Sequence, residues 1–301
     1  MNTRNLRFKS NRVRDIIGLF HEELDGMYGT GEVGVFCDML FEAFLGWDKV
    51  RLLTSKEQTI DQSDLLRFHW ALEDLKRYRP IQHIIGYTDF CGCRIKVSPD
   101  VLIPRPETEE MVNSLTPDPS PAGEGSRILD LCTGSGCIAI ALKKAFPQAD
   151  VTAVDVSPQA LEIARQNAKA NDTGVTFLQA DILAPQFSIL NSQFSIIVSN
   201  PPYVMEKERA QMQRNVLDYD PALALFVPND DPLRFYRAIA EIAKNSLASD
   251  GLLAVEINEA LADETAALLN DKGFNATIHT DFRGKQRWIV ATHHSSLITH
   301  V

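Results

Sequence analysis

The 301-residue sequence has few cysteines, no long apolar run and no excess of basic residues. Its five cysteines show no pattern of a secreted disulfide framework. The longest apolar runs, such as Cys137–Leu142, have six residues, whereas a membrane-spanning helix needs about 20. The net charge of -10 argues against a protein that binds nucleic-acid phosphates. The basic N-terminal stretch lacks the apolar centre of a signal peptide, so we expect a cytoplasmic protein.

Apolar residues at three- and four-residue spacing predict helices in the N-terminal quarter of the chain. The clearest runs are Val33–Phe44 and Leu65–Leu75. We expect Trp47 and Trp70 to lie in the core of a small helical bundle. The bundle should end at Pro80, because the residue before a proline is disfavoured in a helix.

Three domains follow from these breaks. Residues 1–80 form the predicted bundle, 81–104 carry short β-type runs that predict a hairpin linker, and 105–301 form a third domain. Within the third domain, Thr116–Ser126 is rich in proline, glycine and serine and predicts a loop. From Arg127 onward, predicted strands alternate with helices, which is typical of a mostly parallel sheet with helices on both faces. The last two strands predict an antiparallel hairpin.

A glycine-containing turn follows the first predicted strand of the third domain. Gly134, Gly136 and Ala139 match the pattern G-x-G-x-x-A, which lies at the ligand crevice of a doubly wound sheet. Asp155 ends the second strand, 21 residues after Gly134, where a carboxylate binds ribose hydroxyls. The glycines alone leave two interpretations open, a nucleotide cofactor site or a tight turn without a ligand.

Two further acidic residues favour S-adenosylmethionine over a dinucleotide. Asp130 ends the first strand, where its carboxylate would repel a pyrophosphate but suit the ammonium group of an amino-acid cofactor. Asp181 follows the third strand and can accept from an adenine amino group, while Ile182 packs on the ring. The predicted cofactor-binding residues are Asp130, Cys132, Thr133, Gly134, Ser135, Gly136, Asp155, Val156, Asp181, Ile182 and Asn200.

The fourth predicted strand ends in the tetrapeptide Asn200-Pro201-Pro202-Tyr203. The Asn200 side-chain carbonyl and the Pro201 backbone carbonyl could hold both hydrogens of a planar NH2 group. Tyr203 offers an aromatic face for stacking on that group. Such a site orients the nitrogen lone pair towards a methyl donor, so we predict methyl transfer with Asn200, Pro201 and Tyr203 as catalytic residues. Pro202 completes the predicted substrate contacts in this tetrapeptide.

These motifs resemble the HemK/PrmC family of protein-(glutamine-N5) methyltransferases over nearly the whole chain. The most specific match is Val101–Glu109, with the sequence VLIPRPETE, and it is joined by Arg79–Gly86, Thr133–Ile140 and Asn200–Tyr203. The resemblance implies an α/β fold with a seven-stranded Rossmann-like sheet, preceded by a helical bundle that recognises the substrate and a β-hairpin linker. It implies methyl transfer to the glutamine of the Gly-Gly-Gln motif in class 1 peptide-chain release factors.

Some positions depart from that family or leave two interpretations. Cys132 stands where the family has its first glycine, and Asn258 stands where it has another. Phe226–Asp231 replaces a glycine-rich run. Arg105 and Glu107 either contact substrate or form an ion pair that pins the linker to the sheet.

Three alternative functions stay open at this stage. A DNA or RNA adenine amino-methyltransferase would use the same tetrapeptide but needs a basic groove. A nicotinamide-dependent oxidoreductase would explain the glycine turn but not Asn200–Tyr203, and a cofactor-binding scaffold would need no catalysis. We expect S-adenosylhomocysteine as product and a monomer that binds no membrane and no stable nucleic acid. We expect no metal, because the cysteines lack paired ligand spacing.

Overall fold

The structure is a computed structural model that describes residues 8–116, 125–184 and 193–294. The chain separates into two compact units. One comprises Met1–Gly86 together with Gln213–Tyr219, and the other comprises Tyr87–Met212 and Asp220–Val301. Most of the predicted loop at Thr116–Ser126 lies outside the described residues. No helix among the described residues is long and apolar enough to cross a membrane.

The first unit is helical. Its helices are α1 (Val13–Tyr28), α2 (Thr30–Leu45), α3 (Lys49–Thr54), α4 (Gln62–Leu75) and α5 (Ile81–Ile85). Aromatic rings form the centre of its core, where the Phe41 and Phe68 ring centroids lie 4.5 Å apart and Phe20 meets Phe68 edge-on. The spacing of apolar residues therefore predicted the helices correctly, because each helix buries one apolar stripe.

The two tryptophans of this unit have different environments. Trp47 is buried with 8% of its surface exposed, as predicted, whereas Trp70 is 57% exposed and the prediction for it is wrong. The buried face of α4 contains Leu65, Phe68 and Leu72. Trp70 comes two residues after Phe68, which places it about 200° around the helix and away from that face.

Two short segments join the helical unit unexpectedly. Ile81–Ile85 forms α5 rather than the predicted β-structure, because Ile81 packs into the helical core and Gly86, at a φ of 89°, ends the helix in the left-handed conformation. The segment Gln213–Tyr219 contains a single helical turn, α9 (Arg214–Leu217). The Tyr219 hydroxyl donates to the Arg77 carbonyl at 3.0 Å, and the Arg214 guanidinium lies 4.7 Å from the Tyr78 ring centroid.

The second unit is built on a seven-stranded sheet. Its hairpin strands are β1 (Tyr87–Phe90) and β2 (Cys93–Lys96), and the main sheet contains β3 (Arg127–Leu131), β4 (Asp150–Asp155), β5 (Val175–Gln179), β6 (Phe194–Ser199), β9 (Leu247–Glu256), β10 (Phe274–Thr280) and β11 (Gln286–His293). A short separate pair joins β7 (Val204–Met205) and β8 (Phe226–Val227). The helices are α6 (Pro106–Ser114), α7 (Cys137–Ala145), α8 (Pro158–Ala170), α10 (Ala222–Leu225), α11 (Arg234–Ser246) and α12 (Ala262–Asp271).

The strand order of the main sheet is β10-β11-β9-β6-β3-β4-β5. Neighbouring strands are parallel from β5 to β9, and β11 pairs antiparallel with both β9 and β10. The predicted mostly parallel sheet with a terminal hairpin is confirmed. Because β3, β4, β5 and β6 are parallel, their carboxyl ends lie along one edge of the sheet.

Side chains alternate between two hydrophobic cores on the two faces of the sheet. In β6, Ile196 and Val198 pack into the core that contains α7, whereas Ile197 packs into the core that contains α11 and α12. Because both faces of the sheet are buried, the strand sequences are almost continuous apolar runs.

The β1–β2 hairpin is anchored to helix α8. The Asn167 side chain accepts from the Lys96 N–H at 2.7 Å and donates to the Lys96 carbonyl at 3.0 Å, and it also donates to the Ser135 carbonyl at 2.9 Å. The Asn171 side chain donates to the Arg94 carbonyl. These bonds hold the hairpin on the sheet unit and brace the turn after β3.

Candidate active site

A cavity of about 440 Å³ opens at the carboxyl ends of the parallel strands. Its volume falls in the range of small-molecule and cofactor sites. Ten predicted site residues line it: Cys132, Thr133, Gly134, Ser135, Asp155, Val156, Asp181, Ile182, Asn200 and Pro202. The other six predicted site residues, which are not among its lining residues, are Arg105, Glu107, Asp130, Gly136, Pro201 and Tyr203. Parallel strand ends thus bring together residues that are spread over about 70 positions of the chain.

The turn between β3 and α7 winds closely against the sheet. Its left-handed positions are Cys132, Gly134 and Gly136, with φ values of 61°, 55° and 81°. A Cβ at Gly136 would lie 2.9 Å from the Ala164 Cβ, so this glycine allows α7 and α8 to pack closely. A Cβ at Gly134 would have no neighbour within 4 Å, and the backbone there is open to the cavity.

Asp130 supports this turn from inside the protein. It is completely buried, and its Oδ2 accepts from the Thr133 hydroxyl at 2.5 Å and from the Ala139 N–H at 3.2 Å. Its Oδ1 is buried and has no hydrogen-bond partner among the described residues. Burial raises the pKa of Asp130 to about 7. One oxygen therefore holds the turn, and the other is available to a ligand group that donates hydrogen bonds.

Asp155 and Asp181 line the cavity at the ends of neighbouring strands. Asp155 accepts from the Gly134 N–H and the Ser157 N–H at 2.8 and 2.9 Å, and burial raises its pKa. Asp181 accepts from the Leu183 N–H at 2.8 Å. Each carboxylate oxygen can accept more than one hydrogen bond. Both aspartates can therefore still bind hydroxyl or amino groups of a ligand.

Asn200 belongs to a buried hydrogen-bond network that the sequence did not indicate. Its Nδ2 lies 3.0 Å from the Thr108 hydroxyl, which donates to Glu256 Oε2 at 2.5 Å. The Tyr203 hydroxyl donates to Glu256 Oε1 at 2.8 Å, and the Tyr236 hydroxyl donates to the Glu256 carbonyl at 3.0 Å. Burial raises the pKa values of Glu256 and Tyr203. The network immobilises Asn200 and Tyr203 at the end of β6.

The tetrapeptide is also anchored at its C-terminal end, by Asn258. The Asn258 side chain donates to the Tyr203 carbonyl at 3.1 Å and to Glu208 Oε2 at 2.9 Å. Asn258 stands where the family that this sequence resembles has a glycine. Its side chain therefore adds an anchor for the chain just after Asn200–Tyr203.

Arg105 forms an ion pair rather than lining the cavity. Its Nη2 lies 2.5 Å from Asp220 Oδ2, and the Asp220 side chain is almost fully buried. Burial raises the pKa of Asp220 even though Arg105 lies beside it. Glu107 occupies the first turn of α6. Of the two interpretations of Arg105, the structure shows an ion pair, and its partner precedes α10.

The cysteines remain dispersed. Cys37, Cys91, Cys93, Cys132 and Cys137 are free thiols. Burial raises the pKa values of Cys91 and Cys137 to about 12. Over the described ranges, no three His, Cys, Asp or Glu side chains gather as a metal site.

The fold and the comparisons with known proteins together define a Rossmann-like methyltransferase. Residues 108–219 match the family model "Methyltransferase small domain", and residues 31–86 match "PrmC N-terminal domain". The crystal structure of the hMettl16 catalytic domain with a MAT2A 3′UTR hairpin has a TM-score of 0.52 and 15% identity, and the match covers 82% of this chain and 87% of that one. At that identity the likeness shows the fold alone.

Closer relatives show the particular family. The release factor glutamine methyltransferase of Flavobacterium psychrophilum is 42% identical over 273 residues, which cover 90% of this chain and 95% of that protein. The protein of the same name from Bacteroides thetaiotaomicron is 39% identical over 92% of this chain and 98% of its own length. The chain belongs to the family of release factor glutamine methyltransferases.

Proposed function

We propose that this enzyme transfers the methyl group of S-adenosylmethionine to the side-chain amide nitrogen of the glutamine in the Gly-Gly-Gln motif of class 1 release factors. Family membership supports the reaction. The observation that carries the proposal is the position of Asn200, which lines the same cavity as Asp155 and the glycine turn. The residue proposed to bind the substrate amide therefore lines the same cavity as the residues proposed to bind the cofactor.

The residues that line the cavity, together with Asp130, which supports the glycine turn from inside the protein, fit S-adenosylmethionine, whose sulfonium supplies the methyl group. We propose that Asp155 binds the ribose hydroxyls, that Asp181 and Ile182 bind the adenine, and that Asp130 Oδ1 serves the ammonium group. The buried Oδ1 without a partner supports the last assignment. Replacement of Asp155 by alanine should weaken cofactor binding by about 1.5–3 kcal/mol, because a charge-assisted hydrogen bond is lost. Calorimetry that finds unchanged affinity would remove Asp155 from the site.

The chain's own residues contribute to methyl transfer by orientation. In the proposed mechanism, Asn200 Oδ1 and the Pro201 carbonyl accept the two amide hydrogens, and Tyr203 packs against the amide plane. The amide is a poor nucleophile because its lone pair is delocalised, and the two acceptors stabilise positive charge that develops on the nitrogen. Fixed orientation of two reactants can lower a barrier by about 7–11 kcal/mol. The nitrogen gains the methyl group first and then loses a proton to solvent water, so this route requires no strong general base.

The test is the identity of the methylated molecule. The enzyme and labelled S-adenosylmethionine are incubated with one acceptor at a time. The acceptors are intact release factor, release factor in which Gly-Gly-Gln is changed to Gly-Gly-Ala, duplex DNA, and tRNA. We expect label only in the factor with Gly-Gly-Gln. Label in DNA or tRNA would favour the amino-methyltransferase alternative, and no label in any acceptor would favour a scaffold.

We further propose that the helical bundle, predicted at residues 1–80, recognises the release factor. Its match to "PrmC N-terminal domain" and the exposed apolar side chains Trp70, Val50 and Leu53 support this role. If Trp70 is an anchor, Trp70→Ala should raise the KM for whole release factor about 10-fold. The kcat/KM for a short Gly-Gly-Gln peptide is the control and should not change. An unchanged KM for the whole factor would exclude Trp70 from the interface.

The remaining expectations extend the same proposal. Because the proposed substrate is a translation factor, we propose that the enzyme acts in the cytoplasm and that its catalysis needs no metal, membrane or stable nucleic acid. We propose that it acts as a monomer, which sedimentation of the active enzyme at assay concentration would test.

A further inference from the structure

We infer that Thr108 and Glu256 are positioning residues that determine which end of the Asn200 side-chain amide faces the substrate. The inference rests on the proposed function, in which the Asn200 carbonyl accepts a hydrogen from the substrate amide. An asparagine amide has similar shape in its two orientations but opposite hydrogen-bonding character. An active site that uses its oxygen must therefore prevent it from turning over.

The proton of the Thr108 hydroxyl is directed away from Asn200. Glu256 is 2% exposed, and its two oxygens accept from the hydroxyls of Thr108 and Tyr203 at 2.5 and 2.8 Å. Each oxygen of the Glu256 carboxylate thus has its own hydroxyl donor, and such bonds to a charged acceptor are strong. A threonine hydroxyl carries one proton, so the lone pairs of Thr108 are what remain to face Asn200.

Those lone pairs select one orientation of the Asn200 amide. Nδ2 lies 3.0 Å from the Thr108 oxygen and can donate to it. In the opposite orientation, Asn200 Oδ1 would face the same lone pairs and two acceptors would meet. Among the described residues, no group donates to Oδ1. The network therefore holds the amino end at Thr108 and leaves the carbonyl end for a donor in the cavity.

Thr108 and Glu256 are far from Asn200 along the chain. Thr108 is 92 residues before Asn200 and 148 residues before Glu256. Thr108 belongs to α6, and Glu256 ends β9, the strand next to β6. Because α6 packs against the sheet, the buried Glu256 carboxylate orients the Thr108 hydroxyl, and that hydroxyl in turn orients the Asn200 amide.

The first test compares Thr108→Val with Thr108→Ser on release factor. Valine has nearly the shape of threonine but offers no acceptor, so the productive orientation would leave the Asn200 amino group unpaired. We expect kcat to fall about 5- to 100-fold, the scale for an unsatisfied buried donor. The Kd for S-adenosylmethionine should stay within about twofold, and Thr108→Ser, which keeps the hydroxyl, should restore most of kcat. Thr108→Ala replaces the valine variant if valine prevents folding.

A matched control separates orientation from the general loss of a buried hydroxyl. Thr265 is buried in α12, and its hydroxyl donates to the Leu261 carbonyl. Thr265→Val should lower stability without changing kcat per folded molecule. A kcat for Thr108→Val within twofold of wild type, or a fall in kcat for Thr265→Val as large as that for Thr108→Val, would overturn the inference.

The second test introduces Asn200→Asp, because a carboxylate presents oxygens in both orientations. We expect partial activity from this variant. In its background, Thr108→Val should cause no further loss of kcat, since no amide remains to be oriented. An equal loss in both backgrounds would show that Thr108 acts by packing and would overturn the inference. Failure of the wild-type enzyme to methylate release factor would instead refute the proposed function.

Discussion

The helical unit and the sheet unit bury different kinds of side chain. The core of the helical unit is apolar and aromatic, and its buried polar residues among those described are Ser55 and His83. The described part of the sheet unit buries many more polar residues, namely Thr108, Asp130, Thr133, Ser135, Asn167, Asn171, Ser199, Asp220, Ser246, Glu256, Asn258, Thr265 and Asp281. Several of them surround the cavity. Buried polar residues are therefore concentrated in the unit that contains the candidate active site.

This difference follows from the cost of burying polar groups. A buried polar group destabilises the fold unless it is hydrogen-bonded. The core around Phe68 needs only complementary shape, whereas the network around Glu256 needs a matching donor for each oxygen. Substitutions of similar size should therefore change stability in the first unit and activity in the second.

The largest expected effect is on the stability of the helical unit. Phe68→Ala removes a fully buried ring that contacts Phe20, Phe41 and Phe44, so the free energy of unfolding should fall by about 3–5 kcal/mol. Urea denaturation measures this change, with the exposed Leu53→Ala as control, expected within about 0.5 kcal/mol of wild type. A large loss of cofactor affinity in the folded variant would contradict the separation of the two units.

The next effect is on catalysis in the sheet unit. Asn200→Ala removes the proposed amide acceptor, so kcat should fall about 10²- to 10³-fold, as for one preorganised polar group. The affinity for S-adenosylmethionine should change much less, because Asp155 and the glycine turn remain. Single-turnover methylation of release factor and calorimetry measure the two quantities. Wild-type kcat in this variant would refute the role of Asn200.

Asp130 should make stability depend on pH. Burial raises its pKa from 3.8 to about 7. The folded protein therefore binds this proton more tightly than the unfolded chain, so the contribution of Asp130 favours folding at acidic pH. That contribution is lost as the pH rises from about 4 to about 7. Asp130→Asn keeps an oxygen for Thr133 and Ala139 but does not titrate.

The measurement is the Tm of wild type and Asp130→Asn in the absence of cofactor across this pH window. The Tm of the variant should decrease less, or increase more, than that of wild type as the pH rises. Parallel Tm curves would mean that Asp130 keeps an ordinary pKa in the folded protein.

The smallest effect concerns the backbone at Cys132. Its φ of 61° is unfavourable for a residue with a Cβ, whereas glycine adopts it readily. Replacements by glycine and by alanine both remove the thiol, so the difference between the two variants in free energy of unfolding reports the backbone strain at this position. We expect Cys132→Gly to be more stable than Cys132→Ala by about 0.5–1 kcal/mol. The opposite order in denaturant unfolding would show that Cβ packing outweighs backbone strain.

The local pattern of the sequence predicted most elements of the sheet. The apolar run Phe194–Ser199 before the tetrapeptide predicts a strand, and β6 has the same bounds. The apolar run Leu252–Ile257 predicts a further strand, but β9 begins at Leu247, because Ser249–Gly251 interrupts the apolar pattern without ending the strand. Ile81–Ile85 was missed as a helix, since five residues are too few to show helical periodicity and tertiary packing determined its conformation.

The candidate site was predictable where its residues follow strand ends. The glycine turn, Asp155, Asp181 and Asn200 each lie at the end of a predicted strand or within three residues after it, and parallel strands place such residues at one edge. Thr108 lies in the family-like run Val101–Glu109, and Glu256 lies at the end of a parallel strand. Neither position indicates that the two side chains hydrogen-bond to each other, because the bond joins a helix to a strand that is distant in the sequence.

The sequence by itself determined the periodic elements, the parallel sheet and the residues at its carboxyl edge, because these depend on short-range patterns of apolar residues, glycine and proline. Only the tertiary structure decided which polar groups pair inside the protein. Hydrogen bonds between Thr108, Asn200 and Glu256 join positions up to 148 residues apart, and the packing of α6 against the sheet sets their distances. A hydrogen bond needs its donor and acceptor within about 3 Å, and local sequence patterns contain no information on such distances.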